Sequence, residues 1–291
     1  MPAQHLSGDP QTGNTPAKLP AGLYVVATPI GNLRDITLRA LDVLRSVDAV
    51  LAEDTRQTIK LLNAYDIKAP ISAYHDHNAA ERVPAIIQRL QDGEAIALVS
   101  DAGTPLVSDP GFRLVRAAVE AGIEVTPLPG ASAPLAALVK SGLPSDAFLF
   151  AGFMPTKSAA RQTAMTAFQD LRATLIFFET GKRIIAMLTD ALAVYGDRPA
   201  VLTRELTKQY EEARHGTISE LITSVTDTPP RGEIVMLIGP ASGDRTWDAA
   251  LVTRALQEQI PELGMKRASA EVAAQSGWPK RDVYQLALSL K

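Results

Sequence analysis

The chain has 291 residues, 46% hydrophobic and 21% charged, which is enough for two globular domains or one large one with a sizeable core. Lysine plus arginine number 29 and aspartate plus glutamate 32, a net charge of −3 that argues against a sequence-independent nucleic-acid coat but allows a local basic patch. The lack of cysteine excludes disulfides and thiolate metal sites. No run of 18 apolar residues is present to span a membrane, so a cytoplasmic protein with no membrane partner is expected.

Residues 1–20 are rich in Pro, Gly, Ser, Thr and Gln, have no apolar signal core, and read as a disordered tail. A first strand is expected at 23–27, ending in a turn-rich loop over 28–33. Thr37 then caps a helix to about Ser46, with Leu38, Leu41 and Leu44 on one face. A second strand at 49–52 leads into Glu53-Asp54-Thr55-Arg56 and a helix ending near Ala64. A third strand at 71–74 runs into a polar loop, His75-Asp76-His77-Asn78, before a helix over 79–90. Strand 95–99, loop 100–105, helix 112–120, strand 123–126 and loop 128–133 follow. Strands alternating with helices predict a largely parallel sheet.

A change of character over 144–158 marks the expected domain boundary. It gives an N-terminal α/β domain over 21–143 and a second α/β domain over 144–243. The second half reads as strand 148–153, helix 159–171, strand 174–178, helix 182–194 and strand 200–203. Residues 205–215 become strand-like only near their end, before helix 217–225 and strand 233–238. Residues 244–291 form a C-terminal helical domain with helices at about 247–259, 266–275 and 279–289. Ser269 to Tyr284 has helix-turn-helix character, with Gly277 at the turn.

Ligands of open α/β sheets bind in loops at the carboxyl ends of strands. Two such loops stand out, Ser100-Asp101-Ala102-Gly103-Thr104-Pro105 and Leu128-Pro129-Gly130-Ala131-Ser132-Ala133. Gly103 and Gly130 allow close approach of backbone to a ligand, and Asp101 offers a carboxylate to a ribose hydroxyl or an amine. The glycine-rich dinucleotide fingerprint and the phosphate-cradling loop are both missing. Gly130-Ala131-Ser132 begins like a nucleophile elbow, but Pro134 stands where the last glycine belongs. A helix cap or a ligand contact is therefore preferred for Ser132 over a serine hydrolase. His75 and His77 are spaced to share a strand face, yet no third ligand accompanies them. No metal is expected there, and contact with an anionic substrate is preferred. Asp54 and Thr55 suit a helix cap, whereas Arg56 in a first helical turn opposes the helix dipole and points to an anion. Residues 179–183 and 204–208 read equally as rim groups or as solvated charge clusters.

Five segments occur in order: residues 28–37, Glu53-Asp54-Thr55-Arg56, residues 100–105, residues 128–132 and residues 231–235. Together they resemble the tetrapyrrole methylase superfamily, and within it the family that methylates small-subunit ribosomal RNA. The resemblance covers about residues 20–240, and the C-terminal helices are similar to that family's appended helix-turn-helix domain. It implies a two-domain α/β tetrapyrrole methylase-like fold with S-adenosylmethionine between the domains, and a homodimer. It also implies methyl transfer to the ribose 2′-oxygen of a cytidine in the decoding region of 16S ribosomal RNA, free or in the 30S subunit. Carried over by motif, Asp101, Gly103 and Thr104 line the cofactor pocket and Ala131 and Ser132 meet it from the next loop. Pro29 and Gly31 form its floor near the methionine part. Phe178, Glu179, Leu202, Thr203, Gly216 and Thr217 close it from the second domain.

Such a transfer needs the ribose oxygen in line with the methyl–sulfur bond and a proton acceptor beside it. Rim candidates for the acceptor are Asp54, Glu53, His75 and Glu179. Asp54 is preferred, with Arg56 orienting the RNA backbone and Lys182 and Arg204 beside it as phosphate holders. Lys157, Arg161, Lys182, Arg183, Lys266 and Arg267 would give a dimer its basic RNA surface. Two other readings stay open: a methylase of the same fold acting on a small tetrapyrrole, and a nucleic-acid-binding regulator using the C-terminal helices.

Overall fold

The computed structural model describes residues 18–241 and 249–290. Most of the expected tail (1–17) and the first residues of the expected C-terminal domain (244–248) lie outside the described residues. The chain divides into two compact units, one built from residues up to 239 apart from 170–172, the other from those three and residues 240 onward.

The first unit holds two five-stranded sheets. Strands β1 (Gly22–Val26), β2 (Ala49–Ala52), β3 (Ile71–Ala73), β4 (Ala95–Val99) and β5 (Val125–Leu128) form the first, in the order β3-β2-β4-β1-β5. Every pairing in it is parallel. The period-2 alternation of side chains divides its residues between two cores. Ala95, Ala97 and Val99 of β4 face α1 (Leu38–Ser46) and α2 (Thr55–Ala64), meeting Leu41, Leu44 and Leu62. Ile96 and Leu98 face α3 (Asp76–Gln91) and α4 (Phe112–Glu120), meeting Ile86, Leu90 and Leu114.

The second sheet joins β6 (Phe148–Phe153), β7 (Thr174–Thr180), β8 (Pro199–Arg204), β9 (Glu212–Thr217) and β10 (Glu233–Ile238) in the order β6-β7-β10-β8-β9. Only β6 and β7 pair in parallel; β10 runs against both β7 and β8, and β9 runs against β8. One face carries Phe177, Leu202 and Met236 into a core with α6 (Ser158–Thr166), α7 (Ile184–Tyr195) and α8 (Ile218–Asp227). The other face carries Ile176, Val201, Val235 and Leu237 against Ala137 and Leu138 of α5 (Ala133–Ser141). Helix α5 thus follows the first sheet in the chain but packs on the second.

Several expectations shift. The polar stretch 75–78 is not a loop: His75 is the N-cap of α3 and Asp76 its first residue, because the His75 N–H donates to Asn78 Oδ1 at 3.0 Å and closes a capping box. Strand β5 begins two residues late, since the Ile123 N–H is still held by the Ala118 carbonyl at the end of α4. Its Pro127 is tolerated at the edge of the sheet. Arg161, expected on an RNA-facing surface, is buried at 3% exposure. Its guanidinium pairs with Asp190 at 2.6 Å and donates to the carbonyls of Pro155 and Thr156.

The second unit contains α9 (Ala249–Leu263), α10 (Met265–Ser276) and α11 (Lys280–Ser289), packed around Val252, Leu256, Val272 and Val283. Gly277 ends α10 in the left-handed conformation at the expected turn.

Candidate active site

In an all-parallel sheet every strand delivers its carboxyl end to the same edge. The loop after β1 is stitched there to the loop after β4: the Thr28 N–H donates to the Gly103 carbonyl at 2.8 Å, and the Gly103 N–H returns to the Thr28 carbonyl at 3.0 Å. Thr104 Oγ1 donates to the Ala131 carbonyl at 3.3 Å, adding the loop after β5. Gly103 has φ +85°, a conformation that favours glycine. A Cβ there would point between these loops, 3.4 Å from Ile30 Cγ2 and 3.8 Å from the Ala131 carbonyl. Pro29, Gly31, Asp101, Gly103, Thr104, Ala131 and Ser132 therefore share one rim. Ser132 is the residue before α5, and its side chain makes no capping bond.

The loops after β2 and β4 meet through the Asp54 N–H, which donates to Asp101 Oδ1 at 3.0 Å. The Asp54 carboxylate is committed to Arg56, taking its backbone N–H at 2.9 Å and its guanidinium at 3.1 and 2.9 Å. Those hydrogen bonds hold the Asp54 carboxyl below the usual carboxylate range. An acceptor so stabilised in its charged form is a weak base. The Arg56 side chain is nonetheless 84% exposed. Two neighbouring carboxyls behave in the opposite way. Burial pushes Glu53 up, aided by the charges of Asp109 and Asp101. Burial likewise pushes Asp109 up to about 6, opposed by the Ser100 hydroxyl and aided by Asp101.

Asp109 was not singled out from the sequence. The available signal was the Ser108-Asp109-Pro110-Gly111 turn, which closes the segment that begins at Ser100. The loop around it holds Leu106 and Ser108 at φ +73° and +67°, a left-handed backbone that a leucine rarely adopts and that tends to persist at functional sites. His75 and His77 stand with ring centroids 6.0 Å apart at the start of α3. Among the described residues no group of three or more His, Cys, Asp or Glu is arranged to hold a metal ion.

The second sheet divides its expected site residues. Phe178, Val235, Thr203 and Ala213 lie in one row across β7, β10, β8 and β9. Phe178 packs edge-on to Phe150 at 4.8 Å and beside Phe153 at 5.5 Å. Thr203 is buried and its hydroxyl donates to the Val235 carbonyl at 3.2 Å. Leu202 points the other way, into the core with α6–α8. The Glu179 side chain is fully buried: Oε1 takes the Thr180 N–H at 2.8 Å and lies 3.2 Å from Arg183 Nε, while Oε2 has no hydrogen-bond partner. Gly216 and Thr217 pair with Ala200 and Pro199, at the opposite edge of the sheet. Because β9 runs against β8, its carboxyl end is carried away from the rim, and Thr217 there caps α8 in a capping box with Glu220. These two residues thus lie at the Pro199 end of β8, away from its Arg204 end. Arg204, offered as a phosphate holder, is paired with Glu212.

Between the sheets, Ile30 and Ala133 from the first half and Glu205, Leu206, Lys208, Glu233 and Val235 from the second line a cleft of about 40 Å³. Residues 205–208, ambiguous in the sequence, are thus part of a cleft wall. Its apolar groups are Ile30, Ala133, Leu206 and Val235, and its charged groups are Glu205, Lys208 and Glu233, with Lys208 paired to both glutamates.

The family described as "Tetrapyrrole (Corrin/Porphyrin) Methylases" matches residues 22–222, and that described as "RsmI C-terminal HTH domain" matches residues 246–291. Ribosomal RNA small subunit methyltransferase I of Mesorhizobium japonicum is 50% identical over 276 residues, 94% of this chain and 93% of its own. The protein of that name from Escherichia coli O157:H7 is 44% identical over 288 residues, 98% of each chain. Among solved structures, a diphthine synthase aligns with TM-score 0.55 and 16% identity, over 75% of this chain and 89% of its own. A Thermus thermophilus uroporphyrin-III C-methyl transferase complexed with S-adenyl homocysteine aligns with TM-score 0.52 and 20% identity, over 74% of this chain and 96% of its own. Those structural likenesses establish the fold; the close relatives and the matched segments establish more, and the chain belongs to the tetrapyrrole methylases, in the ribosomal RNA small subunit methyltransferase I family.

Proposed function

We propose that this chain transfers a methyl group from S-adenosylmethionine to the ribose 2′-oxygen of a cytidine in the decoding region of 16S ribosomal RNA. It acts as a homodimer in the cytoplasm, on free RNA or on the 30S subunit. The observation that carries the reading is identity of 42–50% to relatives named for ribosomal RNA methylation, spanning both compact units. The C-terminal helices favour this reading over a methylase of a small tetrapyrrole. A dimer has an apolar surface to use: Leu135 and Val139, one turn apart on α5, are 50% and 86% exposed. The division into 21–143, 144–243 and 244–291 goes with the reading, the cofactor lying between the first two.

The residues at the rim fit a nucleoside sulfonium. Gly103 brings the backbone of three loops together without a side chain between them, Ile30 adds an apolar contact beside it, and Asp101 on the same rim offers a carboxylate to ribose hydroxyls and positive charge. S-adenosylmethionine supplies a methyl group already activated on sulfur. Asp101, Gly103, Thr104, Ala131 and Ser132 would hold the cofactor, together with Pro29 and Gly31 and with Phe178 and Thr203 of the second sheet. Asp54 positions: its N–H fixes Asp101 and its carboxylate holds the Arg56 guanidinium out toward an RNA phosphate. The 2′-hydroxyl proton passes to Asp109, whose carboxyl is raised toward neutrality and so is a better base than Asp54.

The deciding experiment supplies labelled S-adenosylmethionine with 30S subunits or naked 16S RNA from cells lacking this gene, followed by nucleoside analysis. Label in 2′-O-methylcytidine supports the reading, and the better acceptor reveals the substrate form. Cofactor binding without RNA label turns the reading to a small tetrapyrrole.

A further inference from the structure

The connection between β8 and β9, residues 205–211, reaches across the cleft to the loop after β1. The Asn32 N–H donates to Thr207 Oγ1 at 3.0 Å. Gly31 lies so close beneath that a Cβ there would stand 2.5 Å from Lys208 Cγ and 2.8 Å from Thr207 Oγ1. The connection is tied down on its own side as well. The Thr207 N–H donates to Glu211 Oε2 at 2.7 Å, and the other oxygen of Glu211 takes Lys140 Nζ at 2.7 Å. Lys208 Nζ donates to Glu205 at 3.3 Å and to Glu233 at 3.1 Å.

Glu205 and Thr207 hold φ at +49° and +64°. For a β-branched threonine this is an unfavourable backbone, which persists only while its contacts enforce it. The cleft that Leu206 and Lys208 help to close has a volume of about 40 Å³. Pockets for ligands of drug size, the size of a nucleoside sulfonium, run from roughly 300 to 1,000 Å³. The latched connection leaves less room than such a ligand needs.

We infer that residues 205–211 form a strap over the cofactor cleft, latched by Thr207 to the Gly31–Asn32 turn. The strap must unlatch for the cofactor to enter and for its thioether product to leave. Thr207 acts through the Gly31–Asn32 turn, as a positioning residue. The inference rests on the cofactor reading above.

The test joins the strap to the turn with Asn32→Cys and Thr207→Cys; the chain has no other cysteine, so oxidation can link only this pair. Association and release of S-adenosylhomocysteine are followed by stopped flow in the oxidised and reduced forms. The strap predicts that oxidation slows both rates at least about tenfold and that a reductant restores them. Equal rates in the two forms overturn it. Thr207→Ala, which removes the acceptor of the Asn32 N–H without a cross-link, raises both rates several-fold, and Thr207→Ser returns them to the parent values. Unchanged rates in Thr207→Ala also overturn the strap. If the unmodified protein binds neither S-adenosylhomocysteine nor S-adenosylmethionine, the cofactor reading itself falls and the strap with it. That outcome is distinct from binding that ignores the latch.

Discussion

In the first sheet all five strands run the same way, so each expected rim residue lands on one edge; in the second, β9 and β10 run backward and the expected residues scatter. Asp54, Asp101, Gly103, Thr104 and Ala131 are bonded to one another's loops. Phe178 and Thr203 lie toward the same cleft, whereas Gly216 and Thr217 end up across the sheet. In a parallel sheet, a position just after a strand is enough to place a residue. In a mixed sheet the strand's direction has to be known first. The halves also use charge differently. The first holds partly exposed carboxyls at its rim, while the second buries its Arg161–Asp190 pair and satisfies it with Ser158, Gln162 and three backbone carbonyls.

That contrast can be pushed until it breaks. The largest expected effect is on the rim: Asp109→Asn lowers methyl transfer by about 10²–10⁴ with cofactor affinity retained, the range for a lost general base. An undiminished rate would move the proton acceptor to Glu53. With Asp109 in place, the rate rises with pH through about 6 and then levels, because only the carboxylate accepts the proton; Asp109→Asn removes that limb. The same substitution raises Tm at pH 7. A carboxyl whose folded pKa lies above its unfolded value favours the fold at low pH, and that contribution is lost as pH rises from about 4 to about 6.

Next in size, Asp190→Ala in the second half costs about 3–5 kcal/mol by stranding Arg161, read as a fall in the urea midpoint. Burial acts to raise the Asp190 carboxyl, but hydrogen bonds from Gln162, Ser158 and Arg161 outweigh it and keep it lowered. Its contribution is therefore present above the ordinary carboxylate pKa and lost as pH falls through the lower folded value. A smaller change follows Arg56→Ala: RNA affinity drops roughly tenfold, and the slope of log affinity against log salt shrinks by about one. An unchanged slope would remove Arg56 from the phosphate contacts. Smallest, Thr217→Ala costs about 1 kcal/mol through the lost α8 cap and leaves cofactor affinity where it was. A marked loss of affinity would return that edge of the second sheet to the pocket.

The elements that were legible in the sequence are those whose signals are local. Thr37 and Asp54 cap α1 and α2 as expected, and α4, β6 and β10 keep the expected bounds, each fixed by a run of apolar residues and a polar or glycine stop. What escaped depends on partners far along the chain. Arg161 reads as a surface charge until Asp190, 29 residues later, covers it. Residues 205–211 have no periodicity, and several of their contacts, with Asn32, Lys140 and Glu233, are to groups far along the chain. Asp109 was hidden because a carboxylate in a Ser-Asp-Pro-Gly turn looks like ordinary turn chemistry. Only the burial beside Asp101 and the left-handed backbone of Leu106 and Ser108 distinguish it.

Helix α5 belongs to the first sheet by sequence and to the second by packing, and this has a cost during translation. Its apolar partners lie on β7, β8 and β10, and β10, made last, is the central strand that β7 and β8 both need. At bacterial-like rates of about 5–20 residues per second, the roughly 90 residues between them take about 5–20 s to synthesise. For that interval a ribosome carries a nascent chain whose first sheet is complete but whose α5 lacks the β10 part of its cover. The window invites chaperone capture and makes the pace of translation through the second half part of how this protein reaches its fold.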